Sequence, residues 1–419
     1  MKRILVHIPM TTHGEYDIFS PYDHKKLVLD VRQNLGGVAP NYGNRLWFQG
    51  IISEIQSDAN HLEYFSPDMT KEQINSNYDM ILAPMANVFA INYADLLERL
   101  AQRFEGIRIP VFVIACGIQA HSFDELDELV SVIREPATKF ISAVYKTGGE
   151  FALRGHFTKE FFTRLGFNSA VVTGCPSLFQ CGRDLKISDE KVSADAFRPL
   201  INGNIVDYPK VFNTHKNSVF FDQSIYFNEL FDLPETMPDR QLIKDLIRRY
   251  GLLVTELLLQ DRVQLIPGMN LWREYIRKEG FTFAYGSRIH GSIMPILSGV
   301  CTLLEYRDAR TREMAEFFGI PHAEPDANGN LYERYLNTSY SEFNQTFGTH
   351  FDAYEQFLKQ CGIVDKINQK NIFFHPVEEL PQITDTQTRR HELYQLLCKE
   401  HLYWQGYSAL LRMKRNICG

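Results

Sequence analysis

The sequence predicts an α/β protein with two doubly wound domains that face each other across a cleft. Short apolar runs alternate with helical patterns up to about residue 173, and the alternation breaks between 181 and 214 before resuming to residue 318. Such alternation is typical of parallel strands that are covered on both faces by helices. A chain of 419 residues is also too long for one ordinary hydrophobic core.

The first domain, expected over residues 1–190, begins with a strand and continues as an alternating series. Its buried strands are predicted at the apolar runs 4–8, 80–82, 111–115, 151–153 and 170–173. Its helices are predicted over 43–55, 91–104 and 157–165, with another that starts at Ser122. Ser122 is a typical N-cap, because Asp124 and Glu125 follow in the first turn.

The second domain, expected over 210–335, follows a polar stretch that contains Pro199 and Pro209 and is predicted to be a linker or a loop-rich crossing. Its strands are predicted at 218–221, 263–266, 281–285 and 301–304, and its helices over 240–259, around Trp272, up to Leu297 and over 310–318. Residues 336–419 are predicted to form a helical tail that packs on the domains, with a last helix over roughly 388–414. Ligands of such folds bind at the carboxyl ends of the strands, so the cleft is the expected site.

The composition excludes several classes of protein. The net charge of −7 argues against a general nucleic-acid binder, and the seven cysteines contain no CxxC pair that would suggest zinc. Most cysteines lie in apolar runs, so reduced thiols are expected. The missing CxxC pair leads us to expect no metal. The sequence shows neither a signal peptide nor a run of membrane-span length, so we expect a cytoplasmic protein.

The run 283–291 is the most informative segment of the chain. An apolar strand ends there, and Ser287, Arg288 and His290 follow at the start of a predicted helix. A helix N-terminus attracts anions, arginine adds a two-pronged donor, and histidine adds a proton that can move near neutral pH. The segment therefore predicts an anion site with acid–base chemistry beside it.

Arg154 occupies the corresponding strand-to-helix corner of the first domain. Two arginines at facing corners could hold a small dianion from both sides. A cap at the helix junction is an equally open interpretation of Arg154.

Three further segments supply candidates. Gly43 and Asn44 end a glycine-rich loop that matches neither the dinucleotide fingerprint nor a Walker loop; Asn44 either contacts sugar hydroxyls or caps a helix. Ser177 follows Gly174 and Cys175 and would line the cleft. Cys175 is a poor candidate nucleophile because no histidine is close in the sequence.

Asp308 and Arg310 lie in a charged corner after the strand at 301–304. Asp308 either orients an arginine or His290, or caps the next helix, and the cap is the better single explanation.

Taken together, these segments resemble the polysaccharide pyruvyltransferase family. The resemblance rests on the segments 41–44, 152–154, 173–177, 286–291 and 308–310 with Glu313, whose order and spacing fit over most of residues 36–320. Two departures occur: Gly299-Val300-Cys301 stands where the family often has Gly-x-Pro, and Gly43-Asn44 stands where it often has Gly-Asp.

The resemblance implies two Rossmann-like domains arranged as in GT-B glycosyltransferases. It also implies transfer of a pyruvyl group from phosphoenolpyruvate to two sugar hydroxyls in exopolysaccharide or other polysaccharide biosynthesis, with release of phosphate and without a cofactor. Arg154 and Arg288 would bind phosphoenolpyruvate, and His290 would be catalytic together with Arg288. The remaining substrate contacts are expected from Ser287, Asn44, Gly43, Ser177, Asp308 and Arg310.

Alternatives stay open at this point. A GT-B glycosyltransferase with a nucleotide-sugar donor explains the domains and the anion site equally well, and a non-catalytic sugar-binding protein is a third reading. The last helix mixes leucine, tyrosine, tryptophan and arginine, so it either packs across the domains or contacts the inner face of a membrane, where a lipid-linked acceptor would lie.

Overall fold

The computed structural model describes residues 1–7, 42–66, 68–223, 233, 236–264, 266, 269–326, 329–368 and 384–418. Within these residues the chain forms two six-stranded sheets, and all the strand pairings are parallel. Helices pack on both sheets and form the C-terminal tail. The predicted fold class, two parallel α/β sheets with a helical tail, is therefore confirmed.

The first sheet has the strand order β2-β1-β3-β4-β5-β6. Its strands are β1 Lys2–Val6, β2 Asn60–Tyr64, β3 Met80–Pro84, β4 Val111–Cys116, β5 Glu150–Leu153 and β6 Val171–Val172. The central strands β3 and β4 are buried along their whole length, as their continuous apolar sequences predict for strands covered on both faces.

The second sheet has the order β12-β11-β10-β7-β8-β9. Its strands are β7 Pro199–Asn202, β8 Val219–Phe221, β9 Val263–Gln264, β10 Phe283–Gly286, β11 Thr302–Glu305 and β12 His322–Ala323. The strands β10 and β7 lie at its centre, so residues that follow them emerge in the middle of the sheet edge.

The helices that cover the sheets include those of the predicted alternation and two that were not predicted, over 71–77 and 209–214. They are α1 Tyr42–Ile55, α2 Lys71–Asn77, α3 Ala94–Phe104, α4 Leu126–Lys146, α5 His156–Arg164, α6 Pro209–Thr214, α7 Asp239–Tyr250, α8 Leu252–Leu259, α9 Met269–Glu279, α10 Ile289–Leu297 and α11 Ala309–Phe318. The tail adds α12 Leu331–Asn337, α13 Ser341–Gln360, α14 Thr384–Lys399 and α15 His401–Cys418.

The prediction of a linker between 181 and 214 is wrong for its middle part, which contains β7. β7 lies inside the second sheet, between β10 and β8, so that sheet begins at Pro199 rather than after 210. The strand escaped prediction because only Leu200 and Ile201 mark it and proline precedes them; proline is tolerated at the first position of a strand. The domain boundaries themselves stay a prediction.

Three smaller differences have local causes. The predicted helix over 240–259 is two helices, because Gly251 has a φ of 86° and breaks the ladder. The last helix is likewise divided at Glu400. β2 was not predicted, because it is an edge strand that is only partly buried and therefore lacks a continuous apolar run.

The tail helices pack on different parts of the molecule. On α13, Phe347, Phe351 and Tyr354 surround the ring of Phe179, which belongs to the short 3₁₀ segment Pro176–Cys181 after the first sheet. Helices α14 and α15 pack on α7 and α8 instead. None of the described helices combines the length and the apolar composition that a bilayer span needs.

Candidate active site at the carboxyl ends of the sheets

Arg154 lies at the end of β5 and is buried, with 1% of its surface exposed. Its N–H donates to the carbonyl of Cys116 (2.9 Å), and its Nη1 donates to Oδ1 of Asn87 (3.3 Å). Its Nε and Nη2 have no hydrogen-bond partner among the described residues, and the nearby negative charge is that of Glu313, which favours the charged guanidinium. The guanidinium is therefore a buried cation whose donors are only partly used.

The backbone around Arg154 leaves room for this side chain. A Cβ at Gly117 would lie 3.0 Å from Cδ of Arg154, so a larger residue there would press on the arginine. Gly117 in turn donates to the carbonyl of Ala86 (2.7 Å), which ties the ends of β3 and β4 together under the guanidinium.

His290 is the second residue of α10 and is also buried, with 8% of its surface exposed. Its Nε2 has no hydrogen-bond partner among the described residues. Burial, followed by the charges of Arg154 and Arg310, holds the pKa of His290 well below its usual value of 6.5. The imidazole is thus neutral at neutral pH, and it lies close enough to both arginines for their positive charges to disfavour its protonation.

Arg310 reaches this cluster from the first turn of α11. Asp308 caps that helix by accepting from the N–H of Thr311 (2.7 Å), which confirms the capping interpretation. The same carboxylate accepts from Nη2 of Arg310 (3.0 Å), while Nε of Arg310 is buried and unpaired among the described residues. Asp308 therefore both caps α11 and orients an arginine toward the site.

Arg288 lies outside the helix, as the N-cap residue of α10, and is exposed. The helix was expected to begin at Ser287, but it begins two residues later. The N–H of Arg288 donates to Oδ1 of Asn202 (2.9 Å), at the end of β7. Of the predicted residues, Arg154, His290 and Arg310 lie close enough for their charges to interact. Arg288 is near His290 in the sequence, but it lies at the surface.

The segment from Gly286 to Gly291 is shaped by close packing against β7 and β8. A Cβ at Gly286, whose φ is 155°, would lie 1.9 Å from the carbonyl oxygen of Asn202. A Cβ at Gly291 would lie 1.9 Å from Nε2 of Gln223. Glycine at both ends is what allows the turn between β10 and α10 to sit on the sheet edge.

Ser287 belongs to a polar cluster that was not predicted from the sequence. Its hydroxyl forms a hydrogen bond with Tyr208, which lies 3.4 Å (Oη to Oε1) from the buried Glu305. Tyr285 donates to the other oxygen of Glu305 (2.7 Å), and Arg307 pairs with the same carboxylate. One sequence signal could have predicted this cluster. It is a charged residue at the end of a buried strand, as Glu305 is in β11.

The segment from Gly174 to Ser177 is buried between the two halves of the chain. Sγ of Cys175 lies 3.1 Å from Oγ of Ser177, and both residues are fully buried. Gly174 has a φ of 79°, and a Cβ there would lie 2.3 Å from Cζ of Phe318. The segment therefore acts first as a packed turn against α11, with the side chain of Ser177 buried against Cys175.

The last two predicted residues lie in α1. Gly43 is buried in its first turn, which places the end of the glycine-rich loop inside a helix. The side chain of Asn44 and the loop before residue 42 lie outside the described residues. Among the described residues, no group of histidine, cysteine or carboxylate side chains is arranged to hold a metal ion.

The family model of polysaccharide pyruvyl transferases matches residues 41–308, which is more than half of the chain. No curated protein is similar enough to count as a match.

Several solved structures share a distant similarity in chain path. One is the co-structure of MnaA from S. aureus with UDP, at 8% identity and a TM-score of 0.41, over 87% of this chain and 98% of that one. Another is the UDP-GlcNAc 2-epimerase of Neisseria meningitidis bound to UDP-GlcNAc, at 11% identity and a TM-score of 0.37, over 85% and 100%. The glycosyltransferase SnogD from Streptomyces nogalater matches at 11% identity and a TM-score of 0.33, over 87% and 99%.

Proposed function

The chain belongs to the polysaccharide pyruvyl transferase family, and on that premise we propose that it transfers a pyruvyl group from phosphoenolpyruvate to two hydroxyls of a sugar. The products are a cyclic pyruvate ketal and phosphate. The sugar is part of a polysaccharide or of its precursor.

The observation that supports this proposal best is the partly unpaired, buried guanidinium of Arg154 next to His290 and Arg310. A buried cation that forms no ion pair is unfavourable, and the charge of Glu313 offsets this only in part, so such a group is retained where a ligand supplies the opposite charge. Phosphoenolpyruvate carries both a phosphate and a carboxylate, and two guanidinium groups that face one site suit these anions. Nε and Nη2 of Arg154 are the donors we assign to the phosphate or carboxylate oxygens.

The reaction needs one proton to move onto carbon and two to leave hydroxyls. Protonation of C3 of phosphoenolpyruvate makes C2 electrophilic, and a sugar hydroxyl attacks C2 and loses its proton. The C2–O bond to phosphate then breaks with its electron pair, and the second hydroxyl attacks C2 and closes the ketal. The proton of one hydroxyl balances the proton on C3, and the other leaves with phosphate.

We assign the proton transfers at C3 and at the attacking hydroxyl to His290. Without substrate the imidazole is neutral, because burial and the two arginines lower its pKa. Binding of the substrate anions offsets the arginine charges, so the pKa of His290 rises toward neutrality when the proton is needed. The same arginines stabilise the phosphate as it leaves.

The remaining predicted residues complete the proposal. Arg288 and Ser287 would contact substrate from the exposed rim of α10, where Tyr208 orients the serine hydroxyl. Gly43, Asn44 and Ser177 are assigned to the acceptor side, and Asp308 acts through Arg310. A lipid-linked oligosaccharide is a suitable acceptor for a reaction carried out in the cytoplasm at the inner face of a membrane.

The donor is tested separately from the transfer. Saturation with phosphoenolpyruvate at about 100 times its Kd should stabilise the protein by about 2.7 kcal/mol, visible as a rise in Tm. His290→Ala should keep most of this rise, because the arginines remain, but should stop phosphate release when acceptor is present. A Tm that does not respond to phosphoenolpyruvate would rule out the proposed donor.

The transfer is measured by mass spectrometry with galactose- and mannosamine-containing acceptors. The ketal adds the mass of one pyruvate less one water to the acceptor. Arg288→Ala should abolish the product, whereas Arg277→Ala, at another exposed arginine, on α9, should not. Undiminished turnover in Arg288→Ala would remove that residue from the site.

A further inference from the structure

Helix α15 carries two apolar stripes on opposite sides. The first contains Trp404 and Leu411 and packs in the cluster with α7, where Trp404 is fully buried. The second contains Leu402, Leu410 and Met413, which are 83%, 58% and 61% exposed. Their spacing places them on one face of the helix, turned away from the packed stripe.

Basic residues flank the exposed stripe. α15 contains Arg412, Lys414 and Arg415 and no aspartate or glutamate, and all three basic residues are exposed. This is a concentration of positive charge in a chain whose net charge is −7. The contrast indicates that this part of the surface is locally positive although the chain as a whole is negative.

The neighbouring helix α7 extends the basic surface. It contains Arg240, Lys244, Arg248 and Arg249 against two acidic residues, Asp239 and Asp245. Arg248 pairs with Asp245, and Arg240 pairs with Glu400, so part of this charge is already neutralised. The ring of Tyr403 lies under Arg240 and Lys244, with 5.7 and 5.9 Å from cation to ring centroid, and joins the two helices at their edge.

We propose that the surface formed by α7 and α15 binds the face of an anionic lipid bilayer. Leu402, Leu410 and Met413 enter the boundary between headgroups and acyl chains, and the lysines and arginines beside them contact lipid phosphates. An apolar stripe bordered by basic residues, with an amphipathic aromatic ring at its edge, is the pattern of a helix that lies in the membrane interface. This proposal is independent of the transfer reaction.

The positive charge of this surface favours an anionic bilayer over a second copy of the chain as its partner. A two-fold contact would place the same basic face against itself, and like charges would oppose it. An anionic bilayer supplies the opposite charge together with an apolar layer, so it satisfies both features of the surface.

The test measures binding of the full-length protein to vesicles by flotation. We expect it to bind vesicles of phosphatidylcholine with phosphatidylglycerol and not those of phosphatidylcholine alone. Binding should weaken as the ionic strength rises from about 0.1 M to about 1 M, because the Debye length falls from about 10 Å to about 3 Å.

Two variants separate the charged and apolar contributions. Arg412→Gln with Lys414→Gln should weaken binding roughly 25-fold, because each cation near an anionic surface contributes about fivefold. Leu410→Gln with Met413→Gln should weaken it at unchanged charge. The matched control is Arg134→Gln with Lys146→Gln, which removes two exposed cations from α4 and should leave binding unchanged.

Three outcomes would overturn the proposal. One is a wild-type protein that does not float with anionic vesicles at low salt, and another is a control variant that loses as much binding as Arg412→Gln with Lys414→Gln. The third is light scattering that shows a dimer which Leu410→Gln with Met413→Gln converts to a monomer, since the stripe would then be a contact between copies.

Discussion

Glu313 on α11 caps helix α5 from the other half of the chain, by way of Thr158. One oxygen of the Glu313 carboxyl group accepts from the N–H of Thr158 (2.6 Å), and the other accepts from its hydroxyl (3.0 Å). Thr158 lies in the first turn of α5, whose N-cap residue, Gly155, has no side chain to do this. A Cβ at Gly155 would lie 2.3 Å from Cγ of Glu313, so glycine there makes room for the borrowed cap.

Glu313 should make stability depend on pH. Burial, opposed by the bonds from Thr158, raises the pKa of Glu313 from 4.5 to about 7. The folded protein therefore holds this proton more tightly than the unfolded chain, and the stabilisation present below pH 4.5 is lost as the pH rises toward 7. The full loss is on the order of 3 kcal/mol.

Glu313→Gln should remove that loss, because glutamine keeps an acceptor for Thr158 and carries no charge. Urea unfolding at acidic and at mildly alkaline pH measures the difference, and the variant should exceed the wild type only at the higher pH. Glu316→Gln, at an exposed position on the same helix, is the matched control. A Glu313→Gln variant with the wild-type pH slope would contradict the prediction.

Arg154→Met should separate stability from binding. Burial lowers the pKa of Arg154, which reflects the cost of keeping its charge away from water. Removing the charge should therefore raise the free energy of unfolding by about 1–3 kcal/mol, and it should abolish the stabilisation by phosphoenolpyruvate. Calorimetry with and without the ligand measures both effects, and a destabilised variant that still responds to phosphoenolpyruvate would contradict the assignment.

His290 should not take up a proton near its usual pH. In the protein without substrate, its ring should stay neutral well below pH 6.5, because burial and the charges of Arg154 and Arg310 oppose the imidazolium. Phosphoenolpyruvate should move the titration upward. NMR of the ring Cε1–H, assigned by its disappearance in His290→Gln, follows both states; titration at the ordinary pH in the protein without ligand would refute the electrostatic argument.

Gly174→Ala should destabilise the protein more than Gly148→Ala. Both glycines have a φ of 79°, but a Cβ at Gly148 has nothing within 4 Å, whereas one at Gly174 would lie 2.3 Å from Cζ of Phe318. The backbone conformation alone costs about 1–2 kcal/mol, and overpacking against Phe318 adds about 1–3 kcal/mol. Chemical unfolding of the two variants gives the difference, and equal losses would show that Phe318 moves aside.

Most of the architecture could be predicted because it depends on patterns among residues that are close in the sequence. Continuous apolar runs mark β3 and β4, and a Ser or Asp at a helix start marks its cap, since burial and capping depend on neighbouring residues. Two strands escaped for different reasons: β2 is only partly buried, whereas β7 is buried but only Leu200 and Ile201 mark it and a proline precedes them.

The sequence by itself therefore determined the α/β class, the alternation of elements and the corners at which Arg154 and His290 lie. Only the tertiary structure decided that Arg310 shares the surroundings of these two residues, that Arg288 is exposed and that Glu313 caps a distant helix. It also decided which stripe of α15 is buried and which faces outward. Local propensity acts over a few residues, whereas the pKa of His290 and the partner of Glu313 depend on groups that meet only when the chain is folded.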